Sequence, residues 1–222
     1  MMLKGLIFDF DGLILDTELP AYQAWQGVYQ KYGQTLPLEK WVNCIGTSPD
    51  RFDAFDYLQA LVHSPLPREH LLAARREVES DLISRQAVMP GVVELLKSAH
   101  ENGVSLAVAS SSPLDWVSTH LQRLGIYDQF DCLITAEDVE RVKPAPDLFN
   151  VAVDRLHATP DSVVVFEDSL NCILAARAAG IYCVAVPNEI TCHLDLSSAN
   201  LVAQSLTEIS LDALDDALRI CA

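Results

Sequence analysis

Leu6-Ile7-Phe8-Asp9-Phe10-Asp11-Gly12 runs three apolar residues into two carboxylates and a glycine, and its reading decides the fold. A short apolar run closed by turn chemistry fits a strand buried on both faces, as in a parallel sheet. Side chains alternate along a strand, so Asp9 and Asp11 point the same way, about 6.6 Å apart along the chain, while Phe8 and Phe10 can face packed layers. Two acids so placed repel each other unless a cation lies between them. Asp9 to Gly12 also fits a plain acidic turn, with Asp9 capping a loop and Gly12 bending it. Partners elsewhere in the chain decide between these readings.

Downstream of the acid pair the pattern turns helical for a long stretch. Tyr22, Trp25, Val28, Tyr29 and Tyr32 recur at helical spacing from Thr17 to Tyr32, and Gly33 stops the run. Helices are expected over Leu38–Cys44, Asp50–Val62 and Arg68–Ser84, with Asp50 and Pro67 as start signals and Ser64-Pro65 as a break. Met89-Pro90-Gly91 punctuates the chain before a helix over Val92–Asn102. From there strands and helices alternate. Strands are expected at Val104–Ala109, Cys132–Thr135, Val163–Phe166 and Tyr182–Val186, and helices at Leu114–Leu124, Leu148–Leu156, Leu170–Ala179 and about Leu206–Ile220. Asp195–Asn200 reads as a surface connection. Such alternation builds an α/β, Rossmann-like parallel sheet with helices on both faces. Residues 17–87 then form an all-helical insertion, and 1–16 with 88–222 form the sheet domain.

Composition narrows the partners. The 222 residues are 50% hydrophobic, enough for one large core or a core plus a smaller domain. Fifteen Lys and Arg against 31 Asp and Glu give a formal charge of -16, which repels nucleic acid and anionic membranes. A small anionic substrate stays compatible, because one divalent cation and one lysine can reverse the potential locally. The six cysteines, Cys44, Cys132, Cys172, Cys183, Cys192 and Cys221, lack zinc or disulfide spacing, and three of them read as core fillers. Met1–Phe8 is too short for a signal-peptide apolar region, and no run approaches the ~18 apolar residues that span a bilayer, so the expected compartment is the cytoplasm. The sequence points to no partner protein.

Ligands of open parallel sheets bind beyond the carboxyl ends of the strands. The first expected strand ends in Asp9 and Asp11, the second in Ser110-Ser111-Ser112, and the Val163 strand in Glu167-Asp168; Lys143-Pro144 follows the short Cys132 strand. Each part alone has an ordinary structural reading. The serines suit a helix cap, Lys143 a solvated loop, and Glu167-Asp168 an acidic first turn. The combination is far more specific than any member.

With these four motifs in this order, the chain resembles the haloacid dehalogenase superfamily, in the helical-cap subgroup that contains phosphatases and β-phosphoglucomutase. The resemblance rests on Asp9-Phe10-Asp11-Gly12-Leu13-Ile14-Leu15-Asp16-Thr17-Glu18, Ala109-Ser110-Ser111-Ser112, Lys143-Pro144-Ala145-Pro146 and Phe166-Glu167-Asp168-Ser169. It implies Asp9 as the nucleophile of an aspartyl-phosphate intermediate and Asp11 as the general acid and base. It implies Mg²⁺ held by Asp9, the Asp11 carbonyl and Asp168, with Glu167 beside it or an occasional ligand. Ser110 and the backbone near Ser111 would bind phosphate, and Lys143 would pair with that phosphate and with Asp9.

The implied activity is hydrolysis of a small phosphorylated metabolite, a sugar phosphate. Asp11 argues against a dehalogenase, whose first motif lacks the second acid. A phosphomutase is the alternative, but Leu19-Pro20-Ala21 supplies no histidine and Ile45-Gly46-Thr47-Ser48-Pro49 no positive charge. A phosphoacceptor signalling domain combines similar residues in a different order, without a helical insertion. Cap residues expected to select the substrate are Glu18, Tyr22, Trp25, Thr47, Ser48 and Arg51. Tyr22 and Trp25 equally suit a cap core.

Overall fold

A computed structural model describes residues 2–42, 45 and 52–221. Six parallel strands form one sheet in the order β3-β2-β1-β4-β5-β6. They are β1 (Gly5–Phe8), β2 (Ser105–Ala109), β3 (Cys132–Ile134), β4 (Val163–Glu167), β5 (Tyr182–Ala185) and β6 (Leu201–Val202). The helices are α1 (Glu18–Lys31), α2 (Leu38–Trp41), α3 (Ala54–Leu61), α4 (Arg68–Ser84), α5 (Val92–Glu101), α6 (Leu114–Arg123), α7 (Asp147–Arg155), α8 (Leu170–Ala178) and α9 (Leu211–Cys221).

Strand alternation sorts the core into two layers. Leu6, Phe8, Leu106, Val108, Val164 and Phe166 belong to one apolar cluster, shared with α5, α6 and α9. Ile7, Ala107, Ala109, Val163 and Val165 belong to the other, shared with α7 and α8. All four β1 residues are buried, as a central parallel strand requires. Phe8 and Phe166 sit in register on neighbouring strands with ring centroids 5.0 Å apart. Burying each such ring contributes roughly 1.5–3 kcal/mol. A third cluster joins Trp25, Val28, Tyr29, Trp41, Phe55, Leu58 and Leu71 of α1 to α4. Ile190, from the segment after β5, is buried in that same cluster.

The chain runs outward from β1 in both directions, through β2 and β3 on one side and β4 to β6 on the other. The crevice where loops part company therefore lies at the carboxyl ends of β1, β2 and β4. Gly91, at φ 88°, lets the chain re-enter the sheet region against Leu206 and Thr207, where a Cβ would collide with backbone.

Several boundaries differ from expectation. Asp53, rather than Asp50, caps α3, its Oδ1 accepting from the Asp56 N–H at 2.9 Å; Asp50 and Cys44 lie outside the described residues. The last helix is split, with a 3-10 turn at Leu206–Glu208 and α9 from Leu211. β6 was not expected at all: it is two exposed residues long, too short to leave a periodic signal. Of the described cysteines Cys183 is buried, Cys132 and Cys172 half-buried, and Cys192 and Cys221 exposed; none is disulfide-bonded. No described helix is long and apolar enough to cross a membrane.

Candidate active site

The carboxyl ends of β1, β2 and β4 open into a cavity of about 690 Å³. Asp9 is the first residue past β1, and its N–H donates to the Phe166 carbonyl at 3.0 Å, extending the ladder so that its side chain is aimed by the sheet. Lys143 reaches it from the loop after β3. Its Nζ lies 2.8 Å from Asp9 Oδ1 and 2.5 Å from Glu167 Oε1, with the lysine side chain only 2% exposed. The ammonium also stands 4.9 Å from the centre of the Phe149 ring. Burial opposes its charge, but the carboxylates of Asp9 and Glu167 raise the Lys143 pKa well above the usual lysine value. The Lys143-Pro144 bond is cis.

Asp11 is held from the other side. Ser112 Oγ donates to its Oδ2 at 2.6 Å, the Trp116 indole N–H to its Oδ1 at 2.9 Å, and Ser110 Oγ stands 3.5 Å from Oδ2. Burial raises the Asp11 pKa and the Asp9 charge adds to it, against the lowering by the Ser112 and Trp116 hydrogen bonds. Ser110 is buried, its Oγ accepting from the Ser112 N–H at 3.0 Å, whereas Ser111 is exposed on the cavity wall. Gly12 adopts φ 83°, and a Cβ there would strike the Asp168 carboxylate. The turn needs glycine on both counts.

Asp168 is fixed by a residue that the sequence reading missed. Asn188 Nδ2 donates to Asp168 Oδ2 at 2.9 Å and to the Gly12 carbonyl at 3.0 Å, while its Oδ1 accepts from the N–H groups of Ile190 and Thr191. Asn188 lies past the carboxyl end of β5, so the rule that picked out Asp9 and Asp168 reaches it too. Ser112 and Trp116 were likewise not assigned to Asp11. The tryptophan reads as one more apolar position of an amphipathic helix.

Negative charge exceeds positive in this site. Asp9, Asp11, Glu18 and Asp168 line the cavity with Glu167 just behind, and Lys143 is the only Lys or Arg among the described lining residues. Burial, then the charge of Asp9, raises the pKa of Glu167 and of Asp168. Glu167 Oε2 is buried without a hydrogen-bond partner among the described residues. An all-oxygen set with surplus charge and an orphaned carboxylate oxygen fits a hard divalent cation. Asp9, Glu167 and Cys172 also approach one another closely enough to share a metal. The Lys143 ammonium already bridges the two acids of that trio, and burial raises the Cys172 thiol pKa well above normal, which disfavours the thiolate.

The helical insertion forms the opposite wall through Thr17, Glu18, Ala21, Ile45, Glu79 and Ile83. Burial, reinforced by Asp11, Asp16, Asp9 and Glu79, pushes the Glu18 carboxyl up to about 8. Glu79 is tied to Arg75 at 2.8 Å. Tyr22 and Trp25 correct the sequence expectation. The Tyr22 hydroxyl donates to the Leu36 carbonyl at 2.9 Å, and Trp25 is buried edge-on to Tyr29 beneath Arg75, so both fill the helical cluster rather than line the cavity. Thr47, Ser48 and Arg51 lie outside the described residues.

Comparison with known proteins places the chain in a family. Residues 6–186 match the family model described as haloacid dehalogenase-like hydrolase. The chain is 41% identical, over 98% of both chains, to "Putative phosphatase YhcW" of Bacillus subtilis. It is 34% identical to fructose-1-phosphate phosphatase YqaB of Escherichia coli, over 82% of this chain and 95% of that one. Among solved structures, β-phosphoglucomutase from Clostridium difficile superposes with a TM-score of 0.75 at 25% identity, covering 98% of each chain. Sheet order, strand-end acids and family match converge: the chain belongs to the haloacid dehalogenase-like hydrolases and is an enzyme of their phosphoric monoester hydrolase class.

Proposed function

We propose that this protein is a cytoplasmic, Mg²⁺-dependent phosphatase that hydrolyses a small sugar phosphate through an aspartyl-phosphate on Asp9. The observation that carries the reading is the buried Lys143 ammonium on Asp9 Oδ1, on a cavity wall that also presents Asp11, Ser110 and Ser111. In the first transfer an Asp9 oxygen attacks phosphorus, the bond to the leaving alcohol breaks, and Asp11 gives that oxygen a proton. In the second, Asp11 takes a proton from water attacking the phosphoenzyme, and Asp9 is released as carboxylate. Ser110, the Ser111 backbone and Lys143 bind the transferring phosphoryl oxygens. Asp9, the Asp11 carbonyl and Asp168 would hold Mg²⁺, which when bound would supply the positive charge that lets an anionic nucleophile meet an anionic phosphate.

Residues 17–87 act as a cap over the core formed by 1–16 and 88–222. Glu18 and Glu79 on the cap wall supply acceptors for the hydroxyl groups of a sugar. The similarity to β-phosphoglucomutase raises the mutase reading, but a mutase has to retain a bisphosphate. Among the described lining residues the cap wall offers no Lys or Arg, so a second phosphate would find no cation there. Phosphorus NMR of hexose 1-phosphates, mixed with enzyme, Mg²⁺ and a trace of hexose bisphosphate, decides between them. The expected product is inorganic phosphate with free sugar. Accumulation of the isomeric 6-phosphate with little free phosphate overturns the hydrolase in favour of the mutase.

A further inference from the structure

Trp116 and Ser112 are two dissimilar donors among the side chains that hydrogen-bond the Asp11 carboxylate, which include Ser110 and Thr17. The indole N–H of Trp116 can only donate, whereas the Ser112 hydroxyl can donate or accept. Trp116 meets Oδ1 at 2.9 Å and Ser112 meets Oδ2 at 2.6 Å. The indole is itself wedged. His120, one turn further along α6, packs edge-to-face on it at 4.3 Å between centroids, and Phe10 packs on His120 at 6.3 Å. The first turn of α6 is pinned by Glu137, whose carboxylate accepts from the Leu114 N–H at 3.1 Å.

We propose that Trp116 is a positioning residue for Asp11, fixing its carboxylate so that Oδ1 always accepts from the indole and Oδ2 is the oxygen that exchanges protons with the substrate. This rests on the phosphatase reading of Asp11 given above. A protonated Oδ1 would set its proton against the indole N–H, so the acid form carries its proton on Oδ2. In the first transfer that O–H bond breaks and the leaving alcohol oxygen gains the proton. In the second, Oδ2 regains one from the attacking water. The Ser112 hydroxyl follows these changes by rotating: it donates to Oδ2 of the carboxylate and turns its proton aside when Oδ2 carries the proton meant for the alcohol. Trp116 touches neither phosphate nor metal in this account; it acts through Asp11.

The test is Trp116→Phe, which keeps an aromatic ring in the packing and removes the donor. It is compared with Ser112→Ala, Asp11→Asn and the unmodified protein. kcat/KM, which reports events through phosphorylation of the enzyme, is measured with Mg²⁺ on alkyl and aryl phosphates. Loss of a hydrogen bond to a charged group predicts a fall of about ten-fold or more for Trp116→Phe on alkyl phosphates, and under about three-fold on an aryl phosphate with a good leaving group. In proton NMR of the ¹⁵N-labelled protein, the indole resonance lost in Trp116→Phe is expected to move in Asp11→Asn, since its acceptor changes from carboxylate to amide. Equal losses on both substrate classes, no loss on either, or an indole resonance indifferent to Asp11→Asn overturns the inference. No phosphate release by the unmodified protein, or full alkyl-phosphate turnover by Asp11→Asn, strikes instead at the phosphatase reading beneath it.

Discussion

Lys143→Met removes the cation that two buried carboxylates share, and its cost follows from the distances. At 2.8 Å from Asp9 and 2.5 Å from Glu167, the gross attraction is about 6 kcal/mol to each at an effective dielectric of about 20. Burying the ammonium offsets much of that gain, and breaking such a pair costs about 3–5 kcal/mol net because the partners are left uncompensated. Urea unfolding in metal-free buffer, followed by tryptophan fluorescence, measures it. With a slope near 3 kcal/mol per molar for a chain of this size, the midpoint should fall by about 1–1.7 M. The loss should also depend on pH. Lys143 has a raised folded pKa, so its contribution is complete below the ordinary 10.5 and is lost only as pH rises through the higher folded value. Glu167, already raised by burial and Asp9, rises further once the ammonium is gone. Through Glu167 both proteins therefore lose stability alike as pH climbs above the ordinary 4.5 of a glutamate, and the gap between them widens only above about 8, where the unmodified Glu167 has released its proton and the variant's has not. A midpoint shift below about 0.3 M, or a gap that fails to widen as pH rises above about 8, would refute the electrostatic account.

Other outcomes follow from the same site. Asp9→Asn should leave the fold intact and bring phosphate release to background in a phosphate-release assay; appreciable turnover would mean that another residue attacks phosphorus. Without divalent cation, stability should fall as pH rises from about 4.5 toward 8, since the folded protein holds a proton on Glu18 that the unfolded chain has released. Millimolar Mg²⁺ should flatten that slope in thermal melts, and an identical slope with and without Mg²⁺ would count against a cation among these acids. Gly12→Ala combines a positive φ with a clash on Asp168, so it should cost at least about 1–2 kcal/mol by urea unfolding and weaken Mg²⁺ binding by calorimetry. Unchanged stability would mean that the turn adapts.

Much of the sheet was legible because its signals are local. The apolar run before Asp9, the β-branched run before Glu167 and the polar residue types at strand ends carry their own meaning in sequence. So does Pro67, at which α4 begins. What was not legible depends on three-dimensional company. Trp116 sits on an amphipathic helix beside the core residues Val117 and Leu121, and nothing in its spacing separates an indole that packs from one that donates to Asp11. Glu79 lies 70 positions from Asp9 on a helix whose sequence is mostly polar, so only the fold of α4 over the site brings it to the cavity. Tyr22 and Trp25 took the packing half of their double reading, since an aromatic at helical spacing near an active site meets its own helical core first.

Ile190 and Asn188 are two residues apart on one loop, yet they answer to different parts of the molecule. Ile190 is buried among the helices that wall the cavity, while Asn188 grips Gly12 and Asp168. Any ligand that shifts those helices therefore pulls on the acid assigned to the metal, and any cation that settles Asp168 biases where the helices rest. Thermodynamic reciprocity makes the two effects equal in free energy. Under the proposed function, affinity for the organic half of a substrate and affinity for the ion would then be coupled, and a substitution at Ile190 should be felt by both.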